Sequence, residues 1–232
     1  DARNPKPAID EIQVRSVPTA DGRLMEFTTG FVSVPEQRAD GKAGAGRIEL
    51  AAIRLRWSGG GKTVANMLLA GGPGDSGTRL ISGLPDRQAA ALLDLMGGDV
   101  ISFDQRGTGR SRPSLALADP MPLPLEVPGS VAAWLPLMEN ASRLAVKRLT
   151  AAGVRLASYT TVENADDVDA VRRAFGYAKM NLWGRSYGSH LALAMVRRHP
   201  ASIARLILVS PEGPNHTFKL PSLTDMVIRR IA

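Results

Sequence analysis

The chain has 232 residues, enough for one domain with a real core, or one domain and part of a second. It is 44% hydrophobic yet holds no apolar run long enough for a transmembrane helix, and its lack of cysteine excludes disulfides, thiolate metal sites and a cysteine nucleophile. The net charge of +7 raises nucleic-acid binding, but the arginines are scattered among acids and no basic run exceeds two residues, so a solvated mixed-charge surface is the better reading.

No signal peptide is visible, and the sequence begins at Asp1 rather than Met, which fits a leader cleaved in maturation or simply left out of this sequence; a secreted or periplasmic location is favoured over a cytoplasmic one. Residues 1–10, with Pro5 and Pro7, read as an extended leader. Glu11 to Val17 alternates as an edge strand and stops at Pro18. Asp21-Gly22 marks a turn. Leu24 to Val34 and Arg47 to Trp57 are strands separated by a polar, glycine-rich loop, and the three strands form an antiparallel meander. Gly59-Gly60-Gly61-Lys62-Thr63 ends like a phosphate-binding loop. Arg56 stands where its first glycine belongs, and a strand follows where a helix is needed, so it is a turn.

Val64 to Ala70 is a continuous apolar run, suited to a strand buried on both faces. It runs into Gly71-Gly72-Pro73-Gly74-Asp75-Ser76-Gly77. A glycine-rich loop at that end of a buried strand is where an open α/β sheet binds its ligand. A helix follows, with Asp86 as N-cap, Ala89, Leu92, Leu93 and Met96 on one face, and Gly97-Gly98 as its stop. Asp99 to Phe103 is the next buried strand. It ends in Asp104-Gln105-Arg106-Gly107-Thr108-Gly109-Arg110-Ser111, which lacks the third glycine of a dinucleotide loop. Asp104 stands at a strand end, as a catalytic acid can, but it and Arg106 read better as braces of the turn beneath the site.

Residues 112–129 hold five prolines and read as a loop. Val131 to Ala152 is helical, with a regular start near Pro136. Thr160-x-x-Glu163 is a capping box. The helix behind it is expected to bury Val162, Ala165, Val168, Val171 and Phe175 and to end at Gly176. Asp166, Asp167 and Asp169 resemble a metal cluster on paper, but on this helix they spread round the polar face, where solvated charge is expected. Lys179 to Trp183 is a strand, Tyr187 to His199 a helix ended by Pro200, and Ile203 to Val209 a last buried strand. Residues 221–231 read as one more helix. Alternation of strand and helix from 64 to 210 implies a mostly parallel sheet with helices on both faces.

Between the strand ending near Trp183 and the helix starting at Tyr187 lies Gly184-Arg185-Ser186-Tyr187-Gly188. This is the G-x-S-x-G pattern of a nucleophile elbow, in the strand–turn–helix setting it requires. A sharp turn pushes the serine hydroxyl out of the sheet, where base and substrate both reach it. The helix N-terminus behind it offers N–H groups to an oxyanion.

These loops together resemble the α/β-hydrolase superfamily, and within it the prolyl aminopeptidase and tripeptidyl aminopeptidase group of serine peptidases. Gly71-Gly72-Pro73-Gly74 is similar to their oxyanion loop, and the stretch from Asp104 to Ser111 to their signature after the next strand. Tyr159-Thr160-Thr161 with Asp166-Asp167-Val168 resembles the segment before their elbow. The sequence departs from the group at Ala70, where many members carry histidine. The resemblance implies an α/β-hydrolase core over residues 1–212 and the start of a helical cap over 213–232. It implies Ser186 as nucleophile, and backbone N–H groups of Tyr187 and Gly72 as oxyanion donors; Pro73 cannot donate. Glu212 would be the catalytic acid, a carboxylate for a substrate's free amino group, or a loop residue near the cap hinge.

No cofactor or metal is implied. The substrate would be a short peptide or other small molecule. The superfamily's order is serine, acid, then histidine. His190 and His199 sit on the elbow helix and His216 where the cap begins, so the histidine base is expected beyond residue 232. On that reading the chain lacks the last strands and most of the cap, is inactive or weakly active alone, and can self-associate through its unfinished sheet edge or cap. The expected activity is cleavage of N-terminal aminoacyl bonds through an acyl-enzyme. Alternatives are a carboxylesterase on the same scaffold and a non-catalytic ligand receptor.

Overall fold

The structure is a computed structural model that describes residues 7–38, 46–60, 63–117 and 130–213. The expected helix over 221–231, His216 and nearly all of the expected cap segment lie outside the described residues. Seven strands form one sheet in the order β1-β2-β3-β5-β4-β6-β7. They are β1 (Ile9–Pro18), β2 (Leu24–Pro35), β3 (Arg47–Trp57), β4 (Val64–Leu69), β5 (Val100–Phe103), β6 (Lys179–Arg185) and β7 (Ile203–Val209). The first three pair antiparallel, β3 meets β5 antiparallel, and β5, β4, β6 and β7 run parallel. The expected meander and parallel sheet are both present.

Among the described residues there are five α-helices: α1 (Arg79–Ser82), α2 (Asp86–Met96), α3 (Val131–Ala151), α4 (Thr161–Ala174) and α5 (Tyr187–Arg198). The two-residue period of the strands divides the core. On β2 and β3, Met25, Phe27, Ile53 and Leu55 face Ile81 of α1 and Ala89 and Leu93 of α2. Their alternates Val32, Val34, Ile48 and Leu50 face Val168 and Val171 of α4 and Leu191 and Met195 of α5. Each such fully buried side chain contributes roughly 1.5–3 kcal/mol. The helices therefore lie on both faces, and the C-terminal ends of the parallel strands are left for loops.

Several local expectations change. Asp86 is the first residue of α2, not its cap; Pro85 holds the cap position and no side chain caps the end. Gly97 ends α2 at φ +61°, its N–H donating to the Leu93 carbonyl at 3.0 Å. The capping box of α4 is half made. Thr160 Oγ1 accepts from the Glu163 N–H at 3.3 Å, while the Glu163 carboxylate turns away to Arg38. Val162 is 50% exposed rather than buried, being only the second residue of α4.

The aspartates of α4 are not solvated. Asp166, Asp167 and Asp169 are all buried, and each is ion-paired. Arg106 Nε and Nη2 grip the two Asp167 oxygens at 2.8 and 3.0 Å, and its Nη1 donates to the carbonyls of Glu36 and Ser158. Arg38 adds a contact to Asp167 at 2.7 Å and one to Glu163 at 2.9 Å. Asp166 accepts from Arg198 and from His199 Nε2, each at 2.7 Å. Burial raises the pKa of Asp166, but those hydrogen bonds outweigh it and hold the carboxyl down at about 2. α3 differs: Leu135, Met138, Leu144 and Val146 are about half exposed and Leu149 is buried.

Candidate active site

The parallel register brings two loops together. Leu69 at the end of β4 pairs with Gly184 near the end of β6, so the glycine loop and the elbow leave the sheet side by side. Ser186 is the elbow's apex, with φ +52° and ψ −125°. A non-glycine residue in the left-handed half of the map is strained and needs the surrounding structure to hold it there. Its N–H donates to the Val209 carbonyl on β7 at 3.0 Å, and its carbonyl accepts from the Ser189 N–H at 2.8 Å.

The two elbow glycines are required by space. A Cβ on Gly188 would stand 2.2 Å from the Leu69 carbonyl oxygen, and one on Gly184 would stand 2.4 Å from the Gly188 carbonyl oxygen. Helix α5 can therefore start against β4 and β6 only with glycine at both places. Opposite the elbow, a Cβ on Gly71 would lie 3.2 Å from the Arg185 carbonyl oxygen and 3.5 Å from Ser186 Cβ. Gly72 has φ +101°, and a Cβ there would fall 2.6 Å from the Gly74 nitrogen. The loop folds tightly beside the serine because neither position carries a side chain.

The third loop does not touch Ser186. It braces the glycine loop from below. Asp104, fully buried, accepts from Ser76 Oγ at 2.7 Å, from the Thr78 N–H at 2.9 Å and from the Arg110 N–H at 2.7 Å. Gln105 Nε2 donates to the Ala70 carbonyl at 3.2 Å. Asp104 thus holds a turn, as the sequence suggests. Arg106 faces the other way, toward α4 and the end of β2.

Glu212 follows β7 and reaches the serine. Ser186 Oγ donates to Glu212 Oε1 at 2.8 Å. A second serine sets that contact. Ser189 Oγ donates to the Ser186 carbonyl at 2.5 Å and accepts from the Glu212 N–H at 2.8 Å, so one fully buried hydroxyl ties the two segments. Ser210, at the turn out of β7, is also held at positive φ, +50°. Ser189 was not singled out from the sequence; its only local signal is a small polar residue directly after the elbow's second glycine.

His190 stacks on Tyr187 at 5.7 Å, and its Nδ1 lies 3.4 Å from the Gly213 carbonyl oxygen. His199 is engaged with Asp166 at the far end of α5. Neither hydrogen-bonds Ser186, as expected. A cavity of about 520 Å³ opens at the serine, walled by the glycine loop and the elbow together with Asp75, Leu80, Leu84, Leu92, Trp183 and Arg185. Asp75 and Arg185 bring charge into a wall that is otherwise largely apolar. Among the described residues no group of three or more His, Asp or Glu side chains is placed to hold a metal ion. No described helix is long and apolar enough to cross a membrane.

A parallel sheet with a strained serine elbow beside a glycine loop defines an α/β hydrolase. The chain belongs to the α/β-hydrolase-fold family, whose profile matches residues 67–231. Among curated proteins it is 31% identical over 193 residues to a tripeptidyl aminopeptidase of Streptomyces lividans, which covers 80% of this chain and 35% of that protein. It is 27% identical over 213 residues to the serine protease Hip1 of Mycobacterium tuberculosis, covering 84% of this chain and 41% of that protein. The chain thus spans well under half the length of these relatives. Among solved structures it is similar to a proline iminopeptidase-related protein from Thermus thermophilus, with 21% identity, a TM-score of 0.39, and coverage of 87% of this chain and 45% of that one.

Proposed function

We propose that the protein is a serine hydrolase that releases N-terminal aminoacyl groups from short peptides through an acyl-enzyme on Ser186. The observation that carries this reading is the strained Ser186, whose hydroxyl donates to Glu212 at 2.8 Å beside the glycine loop. The peptidase names of the relatives support the substrate class. Ser186 Oγ attacks the carbonyl carbon, the C–N bond breaks, and the amine leaves with a proton. Water then releases the acyl group. The N–H groups of Tyr187, at the start of α5, and of Gly72 receive the oxyanion; one such donor is worth on the order of 10²–10³ in turnover. The histidine that would take the hydroxyl proton is not among the described residues.

Glu212 is best read as the site for the substrate's α-ammonium. A triad acid bonds the histidine and stands an imidazole's width from the nucleophile. Glu212 instead touches the nucleophile itself. A carboxylate so close to the attacking oxygen also reaches an ammonium on the carbon next to the scissile carbonyl. An esterase is the second reading, favoured by the apolar wall of Leu80, Leu84 and Leu92.

The readings separate by turnover of alanine 4-nitroanilide, its N-acetyl derivative and 4-nitrophenyl butyrate. The peptidase reading expects cleavage of the free arylamide only, with Glu212→Gln lowering it about 10–100-fold, the loss of one charge-assisted contact. Ester turnover without arylamide turnover selects the esterase.

A further inference from the structure

The cavity beside Ser186 is walled in part by two charged side chains. Asp75 and Arg185 both line it, and neither side chain makes a hydrogen bond or ion pair among the described residues. Asp75 lies close to the chemistry. Its Oδ2 and Ser186 Cβ both stand within 3.6 Å of the point a Cβ on Gly71 would occupy. The carboxylate is therefore beside the loop that receives the oxyanion in the reading above. A fixed negative charge there opposes a developing oxyanion. A cation brought by the substrate cancels that opposition. The rest of the wall is suited to carry such a group: Leu80, Leu84, Leu92 and Trp183 fit an aliphatic stem.

We propose that this cavity is a subsite for a substrate group with an apolar stem and a cationic end, an alkylammonium or alkylguanidinium, and that Asp75 is its anchor. The proposal rests on Ser186 being the nucleophile. It is separate from the α-ammonium contact, because Glu212 is not in the wall of this cavity. It makes a basic side chain, rather than a free N-terminus alone, the preferred feature of the substrate. Arg185 is the rival charge and would select a carboxylate-ended stem instead. Asp75 is favoured because its carboxylate, not merely its backbone, is placed against the glycine loop.

Binding can be tested without catalysis. NMR titration of the Ser186→Ala protein with hexylguanidine, hexylamine, hexanol and hexanoate reads the subsite directly. Both cations should bind at least about tenfold tighter than hexanol, with hexanoate weakest, and Asp75→Asn should erase the difference while Asp75→Glu keeps it. Equal affinities, tighter binding of hexanoate, or a preference that survives Asp75→Asn would overturn the proposal. In the Ser186 protein, 4-nitrophenyl 6-guanidinohexanoate should be turned over faster than 4-nitrophenyl hexanoate, and Asp75→Asn should lower the first rate and raise the second. Failure of a fluorophosphonate to label Ser186 would remove the nucleophile reading while the titration still decides the fate of the subsite.

Discussion

Charge is crowded into two regions of this molecule and used differently in each. Under α4, Arg106 and Asp167 have no side-chain exposure, and Arg38, Glu163, Asp166 and Arg198 complete a network in which every charge has a partner, with His199 hydrogen-bonded to Asp166. At the C-terminal edge of β4 and β6, Asp75 and Arg185 line a cavity and pair with no described residue. The first region spends its charges on joining β2, the loop after β5, α4 and α5. The second keeps its charges and its backbone strain beside a serine hydroxyl. A structural ion network is closed; a candidate binding site stays open.

The sharpest way to break the comparison is to remove one charge from each region. Asp167→Ala should cost about 3–5 kcal/mol of stability, because two arginines lose a buried partner. Asp75→Asn should shift stability by no more than about 0.5 kcal/mol, as for an exposed surface residue. Urea midpoints measure both, and similar losses in the two variants would contradict the distinction.

Gly188→Ala should be next, at about 1–3 kcal/mol, because its Cβ has to displace the β4 backbone at Leu69. Ser189→Ala should cost about 1–3 kcal/mol by leaving the Glu212 N–H without its partner. It should also lower kcat for the alanine arylamide while thermal unfolding stays cooperative. Asp166 gives an effect confined to acid pH. Its carboxyl is held below its ordinary value, so its contribution to stability is present above about pH 4 and is lost as pH falls toward about 2. Asp166→Asn should flatten stability over that interval, and an unchanged acid profile would contradict the pairing.

What the sequence made legible follows the range of the physics. The seven strands, the meander and the elbow are written in local alternation, apolar runs and the spacing of Gly184, Ser186 and Gly188. Distant partners are not. Arg38 lies 125 residues from Glu163 in sequence, so a helical wheel gave no sign that the acids of α4 face arginine rather than water. Likewise, nothing local says that Ser189 would bridge the elbow to Glu212. Glu212 was visible by position after β7; its contact with Ser186 needed the fold.

The central claim is that Ser186, at this open edge, is the nucleophile of the reaction. Labelling of the full-length protein with a fluorophosphonate, followed by peptide mapping, tests it most directly. The account predicts one modified residue, Ser186, with labelling abolished in a folded Ser186→Ala protein. A folded protein that is not labelled, or is labelled equally well without Ser186, would contradict it.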